Sequence, residues 1–171
     1  IARALHGPIQ DALSVAAFKL SAAIKDGTAN QKLVGELNEM ISSTIVLLDL
    51  PDEEQPALEQ SLADLAEFWD GVAKIRYKLT PAAKRVLATH PVTSATAIEL
   101  IREACSNAVR HGKASQIRVE VSVSKDLNRL ELNVSNDGNL VRMSTKPGLG
   151  TKLLNELALR WNLRSAGTTT V

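Results

Sequence analysis

The sequence has few aromatic residues, one cysteine and no long apolar run. Only 3% of its 171 residues are aromatic although 44% are hydrophobic, so the core must be built mainly from aliphatic side chains. That hydrophobic content argues against general disorder. No run of 18 apolar residues occurs, and we therefore predict no membrane-spanning helix and no membrane contact within this sequence.

Neither sign of charge dominates. Twenty basic and nineteen acidic residues give a formal net charge of +1, which argues against nucleic acid or an anionic membrane as a partner. Cys105 cannot form an internal disulfide, and its place on the apolar side of a predicted helix indicates a buried residue rather than a catalytic thiol. A single cysteine fits a reducing compartment. The sequence begins inside a helical pattern, without an initiator Met or a signal-peptide pattern, so we expect part of a longer protein.

Apolar residues recur at helical spacing twice in residues 1–50, which predicts an antiparallel helical hairpin. Asp26 and Gly27 end the first helix, Thr28 and Gln31 form a capping-box signature for the second, and Pro51 closes it. The two stripes are Leu5, Ile9, Leu13, Ala16, Leu20 and Ile24, and then Leu33, Leu37, Ile41, Thr44, Ile45 and Leu48. Because one hairpin cannot bury both stripes, we predict a homodimer through residues 1–50 that forms a four-helix bundle.

Residues 51–56, PDEEQP, are charged and bracketed by prolines, which predicts a linker. Residues 57–171 then mix helical and alternating patterns, so the whole chain is predicted to be α+β. The elements expected there are a helix over 58–68, a strand over 73–79, a helix from about Thr93 to His111, a β-hairpin over 117–134, a helix from about Gly150 to Trp161, and two short final strands. We expect helices on one face of a mixed, mostly antiparallel sheet.

The helix over 93–111 carries an unusual polar row. In the stretch EACSNAVRHGKAS, Glu103, Asn107 and His111 are spaced four residues apart and so share one helical face. Ile101 and Cys105 belong to the opposite, apolar stripe. By spacing alone, the polar row is better interpreted as a solvated surface than as a site.

Two glycine-bearing turns follow this helix, NDG at 136–138 and PGLGT at 147–151. The second opens a predicted helix, where backbone N–H groups can bind a phosphate and glycine allows close approach. Each turn alone is weak evidence, because these residues are also common in ordinary turns.

Together and in this order, these motifs resemble the nucleotide-binding domain of the GHKL superfamily, which has the Bergerat α/β-sandwich fold and includes histidine kinases. EACSNAVRHGKAS resembles the N-box, NDG the G1 box, GLGT the G2 box, and Gly167-Thr168 the last adenine-site element. The resemblance covers residues 57–171. It favours a nucleotide site over a solvated surface for the polar row.

The resemblance implies ATP and Mg²⁺ as cofactors. Asn107 would be the metal ligand, and Glu103 would hold a metal-bound water or assist proton transfer. The remaining ATP-binding positions would be His111, Lys113, Asn136, Asp137, Gly138, Gly148, Leu149, Gly150, Thr151 and Thr168. The family usually has aspartate where this chain has Asn136, so we expect weaker nucleotide binding.

The N-terminal LHGPIQ resembles the phosphoacceptor box of histidine kinases paired with LuxR-type response regulators. His6 would be the phosphoacceptor, with Gln10 one turn away, whereas His90 has no such context. That class has an acid directly after the histidine, where this chain has Gly7 followed by Pro8. Proline inside a helix is costly, so Pro8 is expected to kink the helix or to lie in its first turn.

The resemblance therefore implies the cytoplasmic part of a sensor histidine kinase, whose parent protein could lie at the inner face of the plasma membrane. It would phosphorylate His6 from Mg-ATP and pass the group to an aspartate of a response-regulator receiver domain. Two alternatives stay open: a non-catalytic nucleotide-binding dimerisation module, favoured by Gly7 and Asn136, and an anti-sigma-type serine kinase.

Overall fold

The computed structural model describes residues 2–47, 57–125 and 129–139, with the isolated residues Asn155, Leu157, Ala158, Arg160 and Asn162. Within these residues the architecture is α+β, as predicted. The chain divides into two compact units, Ile1–Ile75 and Arg76–Val171. The predicted linker at 51–56 lies outside the described residues, so the domain boundaries at 50 and 57 stay predictions.

The first unit begins with the predicted helical hairpin, made of α1 (Ala2–Lys25) and α2 (Gln31–Leu47). Helix α1 ends beside Gly27, whose φ of 68° lies in the left-handed region, and the Thr28 N–H donates back to the Ala23 carbonyl at 2.8 Å. This is the usual way in which a helix terminates its backbone hydrogen bonds. Pro8 lies beyond the first turn of α1, so the helix continues through it.

The predicted capping box of α2 is wrong. The side chain that caps this helix is Asn30, whose Oδ1 accepts from the Leu33 N–H at 2.9 Å. Thr28 instead bonds backwards, from Oγ1 to the Ala23 carbonyl at 3.4 Å. Asparagine is at least as good an N-cap as threonine, so the nearer residue takes the position and the helix starts at Gln31.

The two helices of the hairpin contact each other, and the predicted stripe of α1 is only partly buried. Ala12 and Val15 are fully buried, whereas Leu13 is 51% exposed and Ile24 is 64% exposed. Ile9 and Leu20 of that stripe are half-buried, so the prediction is wrong at Leu13 and Ile24 only among the large residues whose side chains are described. Leu48 of the second stripe lies outside the described residues.

Helix α3 (Leu58–Phe68) follows and confirms the helix predicted there. Its buried apolar residues are Leu58, Leu62 and Leu65, and Trp69 directly after the helix is fully buried as well. The Phe68 and Trp69 rings meet edge to face, with centroids 5.8 Å apart. The end of α3 therefore places Trp69, the residue that follows the helix, in the core.

A three-stranded sheet has the order β1-β2-β3, with β1 at Lys74–Leu79, β2 at Gln116–Val123 and β3 at Leu130–Asn136. Strands β2 and β3 are antiparallel, with Val119 opposite Val134. Ile117, Val119 and Val121 are buried and the residues between Gln116 and Val121 that alternate with them are exposed. The predicted alternation and hairpin are confirmed, although turn residues 126–128 lie outside the described part.

Two helices lie between β1 and β2. Helix α4 (Pro81–Thr89) was not predicted, although Thr80 and Pro81 mark its start: the Ala83 N–H donates to Thr80 Oγ1 at 3.3 Å. Helix α5 (Pro91–Arg110) is the predicted helix with the polar row. Between them His90 has a structural role, its Nδ1 lying 2.8 Å from the Val86 carbonyl oxygen.

No helix among the described residues is long and apolar enough to cross a membrane. Of the helix predicted over Gly150–Trp161, the structure describes Asn155 and Leu157, which are helical. The two predicted final strands lie outside the described residues.

Candidate functional site

Helix α5 has the amphipathic character that its sequence predicts. Ile101 and Cys105 are fully buried on its apolar side. On the other side, Glu103 and Asn107 are half-buried and His111 is exposed at the C-terminal end. The buried stripe holds the helix in the domain, so the polar row projects from a rigid element.

Glu103 and Asn107 form a hydrogen-bonded pair, in which Asn107 Nδ2 donates to Glu103 Oε1 at 2.6 Å. An ionised carboxylate can only accept, so the amide must turn its nitrogen towards Glu103. The Asn107 Oδ1 is then directed elsewhere, and no donor among the described residues reaches it. The pair thus presents one oriented amide oxygen, a hard ligand of the kind that Mg²⁺ prefers.

These residues do not form a closed metal cage. Within the described parts of the chain, no group of three or more His, Cys, Asp or Glu side chains could hold a metal ion. Mg²⁺ usually takes only one or two protein ligands and completes its octahedral shell with water and phosphate oxygens. A single oriented amide oxygen, such as that of Asn107, is compatible with this preference.

The turn after α5 is held by backbone hydrogen bonds. The Asn107 carbonyl accepts from the His111 N–H at 3.0 Å, and the Ala114 N–H donates to the Ala108 carbonyl at 2.9 Å. Lys113 has a φ of 55°, a left-handed conformation that is uncommon for residues other than glycine. Its side chain is exposed, at the end of the polar row.

The NDG turn packs directly against this turn. The Asn139 N–H donates to the Gly112 carbonyl at 2.7 Å. A Cβ atom on Gly138 would lie 2.5 Å from that same carbonyl oxygen, and one on Gly112 would lie 2.6 Å from the Ala108 carbonyl oxygen. Gly138 therefore allows the NDG turn to approach the Gly112 backbone, whereas Gly112 allows the turn after α5 to fold back on the end of that helix. This packing brings the predicted N-box and G1 elements together.

Asp137, in the middle of this turn, is engaged with its own chain. Its Oδ1 accepts from the backbone N–H groups of Ser115 and Gln116 at 2.8 and 2.9 Å, and its Oδ2 accepts from the Ser115 hydroxyl at 2.7 Å. The Ser115 hydroxyl and these two N–H groups lower the pKa of the Asp137 carboxyl. Sequence reasoning missed Ser115 and Gln116, because only the fold brings them to a residue 22 and 21 positions away.

Asn136 is exposed at the end of β3, and its Oδ1 accepts from the Gly138 N–H at 2.9 Å. The side chain thus closes a local turn with the residue two positions on. The three residues of this turn consequently have different roles. Asn136 closes the local turn, Asp137 binds the start of β2, and Gly138 allows the close backbone contact with Gly112.

The structure places only part of the predicted site. His6 lies within α1, in the first unit, and its side chain is not described. The predicted residues Gly148, Leu149, Gly150, Thr151 and Thr168 lie outside the described residues. The elements that are brought together are therefore the polar row of α5, the turn after it and the NDG turn.

Three curated relatives are similar to this chain. Each is a nitrate/nitrite sensor protein NarX, from Escherichia coli K12, Escherichia coli O157:H7 and Shigella flexneri, and each is 30% identical over 152 residues. The similarity covers 81% of this chain but 24% of each relative, so the chain spans about a quarter of the length of the relatives it matches. No family model matches the sequence, and no solved structure matches it.

Proposed function

We propose that this chain is the dimerisation and catalytic part of a sensor histidine kinase, with a GHKL nucleotide-binding domain. The observation that carries the proposal is the oriented Glu103–Asn107 pair beside the packed NDG turn. The partial similarity to a sensor protein supports a histidine kinase type of function. The chain would use Mg-ATP to phosphorylate His6 and then pass the phosphoryl group to an aspartate of a response regulator.

Phosphoryl transfer needs little covalent assistance from protein, because positioning and charge neutralisation supply most of the catalysis. Asn107 would hold Mg²⁺, and the ion when bound would neutralise charge on the phosphate oxygens. Glu103 keeps the Asn107 amide in its ligating orientation through the 2.6 Å hydrogen bond. Lys113 and His111, exposed at the end of α5, would add positive charge or donors close to the phosphates.

In the reaction, the Nε2 lone pair of His6 would form a bond to the γ-phosphorus while the bond from that phosphorus to the departing ADP oxygen breaks. The imidazole proton must then leave. Gly7 provides no carboxylate to accept it, so we infer that the proton passes to solvent. Autophosphorylation would consequently be slow but not abolished.

The proposed partners follow from the same function. A second copy would pack on the helical hairpin, and the receiver domain of a response regulator would accept the phosphoryl group. This part of the protein would work in the cytoplasm, and its parent could lie at the inner face of the plasma membrane.

Labelling with γ-³²P-ATP tests the proposal. We expect acid-labile label on the wild-type chain, its loss in His6→Gln, and its retention in His90→Gln, which changes a histidine with a structural role between α4 and α5. Acid-stable label on a partner protein would indicate a serine kinase instead. Nucleotide binding without any label would indicate a regulatory module, and either outcome would overturn the proposal.

The metal site has a separate test. Asn107→Ala should remove most of the Mg²⁺-dependent part of ATP binding, roughly a ten- to hundredfold loss of affinity, because a charge-assisted contact is lost. Isothermal titration with and without Mg²⁺ measures it. Asn133→Ala, which truncates an exposed asparagine of β3, is the matched control and should have no effect. An unchanged Mg²⁺ dependence in Asn107→Ala would exclude this residue as the ligand.

A further inference from the structure

We propose that Asp70 is a site of spontaneous covalent modification, at which the aspartate rearranges to isoaspartate through a cyclic succinimide. Three Asp-Gly pairs occur in the sequence, at 26–27, 70–71 and 137–138. Glycine after aspartate favours this rearrangement, because no side chain shields the backbone nitrogen that attacks. All three pairs share this advantage, so the fold decides which of them reacts. The modification does not depend on the kinase function proposed above.

The rearrangement needs no reagent other than water. In the first step, the backbone nitrogen of the glycine attacks the side-chain Cγ of a protonated aspartate. The N–Cγ bond forms, the Cγ–OH bond breaks and the nitrogen loses its proton, so that one water molecule leaves. In the second step, water attacks the main-chain carbonyl of the ring, and the bond from that carbonyl to the nitrogen breaks. The chain then continues through Cγ, with one more methylene in its backbone and no net gain of atoms.

The peptide group between Asp70 and Gly71 is free to rotate towards the attacking position. The Val72 N–H donates to the Trp69 carbonyl at 3.0 Å, and Gly71 has a φ of 79°, as in a type II turn. Among the described residues, neither the Asp70 carbonyl nor the Gly71 N–H takes part in a hydrogen bond. Rotation of this peptide group therefore breaks no hydrogen bond of the described structure.

The Asp70 carboxyl is equally free. Asp70 and Gly71 are both exposed, and no described residue donates a hydrogen bond to the Asp70 side chain or pairs with its charge. Gly71 also lines an open cleft together with Lys19, Thr28 and Asn30. Water consequently reaches this turn, as the second step requires.

Asp137 has the same following residue but is restrained on both sides. Its carboxylate accepts from two backbone N–H groups and from the Ser115 hydroxyl. These donors lower the pKa of the Asp137 carboxyl, so less of the reactive protonated form is present. The Gly138 N–H donates to Asn136 Oδ1 at 2.9 Å, and the Gly138 backbone is packed against the Gly112 backbone. Both the attacking nitrogen and the attacked carbon are therefore held away from reaction.

Asp26 lies between these two cases. Its side chain is exposed and has no partner among the described residues. The Gly27 N–H, however, donates to the Ile24 carbonyl at 3.3 Å, where α1 ends. Attack at Asp26 must break this long hydrogen bond. We therefore expect isoaspartate to form fastest at Asp70, more slowly at Asp26 and slowest at Asp137.

Ageing of the intact chain at neutral pH tests the proposal, with peptide mapping by electron-transfer mass spectrometry to distinguish aspartate from isoaspartate at each site. Isoaspartate should form at Asp137 at least about tenfold more slowly than at Asp70, because releasing even one hydrogen bond to a charged carboxylate costs about that factor. In concentrated urea the three sites should react at similar rates, since unfolding removes the restraints.

Two substitutions change two of the sites separately. Asp70→Glu keeps the charge but requires a larger ring, so it should abolish the modification at that position and leave the rate at Asp26 unchanged. Ser115→Ala removes one donor from the Asp137 carboxylate. It should raise the rate at Asp137 and leave the rate at Asp70 unchanged.

Faster isoaspartate formation at Asp26 or Asp137 than at Asp70 in the folded wild type would overturn the proposal. The same ranking in folded and urea-unfolded chains would also overturn it, because the flanking sequence and not the fold would then set the rates. Both comparisons use the wild type, so the proposal can be rejected even if Ser115→Ala fails to fold.

Discussion

Asp137 carries its charge on an exposed turn, yet three hydrogen bonds fix its carboxylate. These donors come from Ser115 and Gln116, at the start of β2, so the side chain fastens the NDG turn to the strand that follows α5. The donors favour the ionised carboxylate, which is why its pKa is lowered. The Asp137 carboxylate is thus bound by donors of its own chain, and these hydrogen bonds hold in place the turn that contains Asn136.

This lowered pKa predicts a pH dependence. Since the folded-state pKa is below the unfolded value of about 3.9, the stabilisation is complete above that pH and is lost as pH falls through the folded pKa. We expect Asp137→Asn to lack this acid-dependent part of the unfolding free energy. Urea denaturation from pH 6 to pH 2 measures it. Asp64→Asn is the control, an exposed carboxylate in α3, and equal pH profiles for wild type and Asp137→Asn would contradict the assignment.

Because Gly7 provides no carboxylate next to His6, the proposed function predicts slow autophosphorylation. Asp11, the nearest following acid in the sequence, is 4% exposed, so its carboxylate is poorly accessible as a substitute base. Gly7→Asp should therefore raise the autophosphorylation rate, by roughly 10²–10⁴-fold if the new carboxylate becomes a positioned base. Initial labelling rates measure this. Ser21→Asp adds an acid at an exposed position of α1 and should leave the rate unchanged; a similar increase in both variants would rule out a local base.

The junction of α1 and α2 shows how neighbouring signals compete for one helix end. Thr28 and Asn30 are both good capping residues, and only one can precede the first turn of α2. The Thr28 N–H donates to the Ala23 carbonyl, so the backbone of Thr28 belongs to the C-terminal end of α1. The position next to the helix is therefore left to Asn30.

A pair of alanine substitutions tests this arrangement. Asn30→Ala should destabilise the hairpin by about 0.5–2 kcal/mol, because the Leu33 N–H loses its side-chain partner. Thr28→Ala should cost less, since its hydroxyl makes one long bond of 3.4 Å. Thermal unfolding followed by circular dichroism compares the two. A larger loss in Thr28→Ala would restore the capping box that begins at Thr28.

At the scale of the whole molecule, the exposed apolar side chains of the helical hairpin favour association with a second copy of the chain. Leu13 and Ile24 of α1 and Ile45 of α2 are about half exposed or more. Covering them in a four-helix bundle would remove this apolar surface from water.

We therefore expect the chain to sediment as a dimer at micromolar concentration. Leu13→Glu combined with Ile24→Glu should shift it to a monomer, since charges would then be buried in the bundle. Val92→Glu is the control: it changes the most exposed of the large apolar residues described, in the second unit. A monomeric wild type would show that residues 1–50 do not form the interface.

The periodicity of the sequence determined the described elements other than α4, because apolar spacing of 3.6 or 2 residues reflects which side of an element is buried. It also determined the polar row, since Glu103, Asn107 and His111 share a face in any helix. Helix α4 was missed because it is only nine residues long and buries one pair of apolar residues at helical spacing, Ala83 and Leu87, so its periodicity extends over little more than one repeat.

Contacts between distant residues were decided only by the tertiary structure. The clamp between Asp137 and Ser115 joins residues 22 positions apart, and the contact of Gly138 with Gly112 needs the turn after α5 to lie against the end of β3. The Asn136 amide orientation depends on the same turn. The burial of Ala12 and Val15, in place of Leu13 and Ile24, is also tertiary, because spacing identifies apolar positions but not which of them the rest of the fold covers.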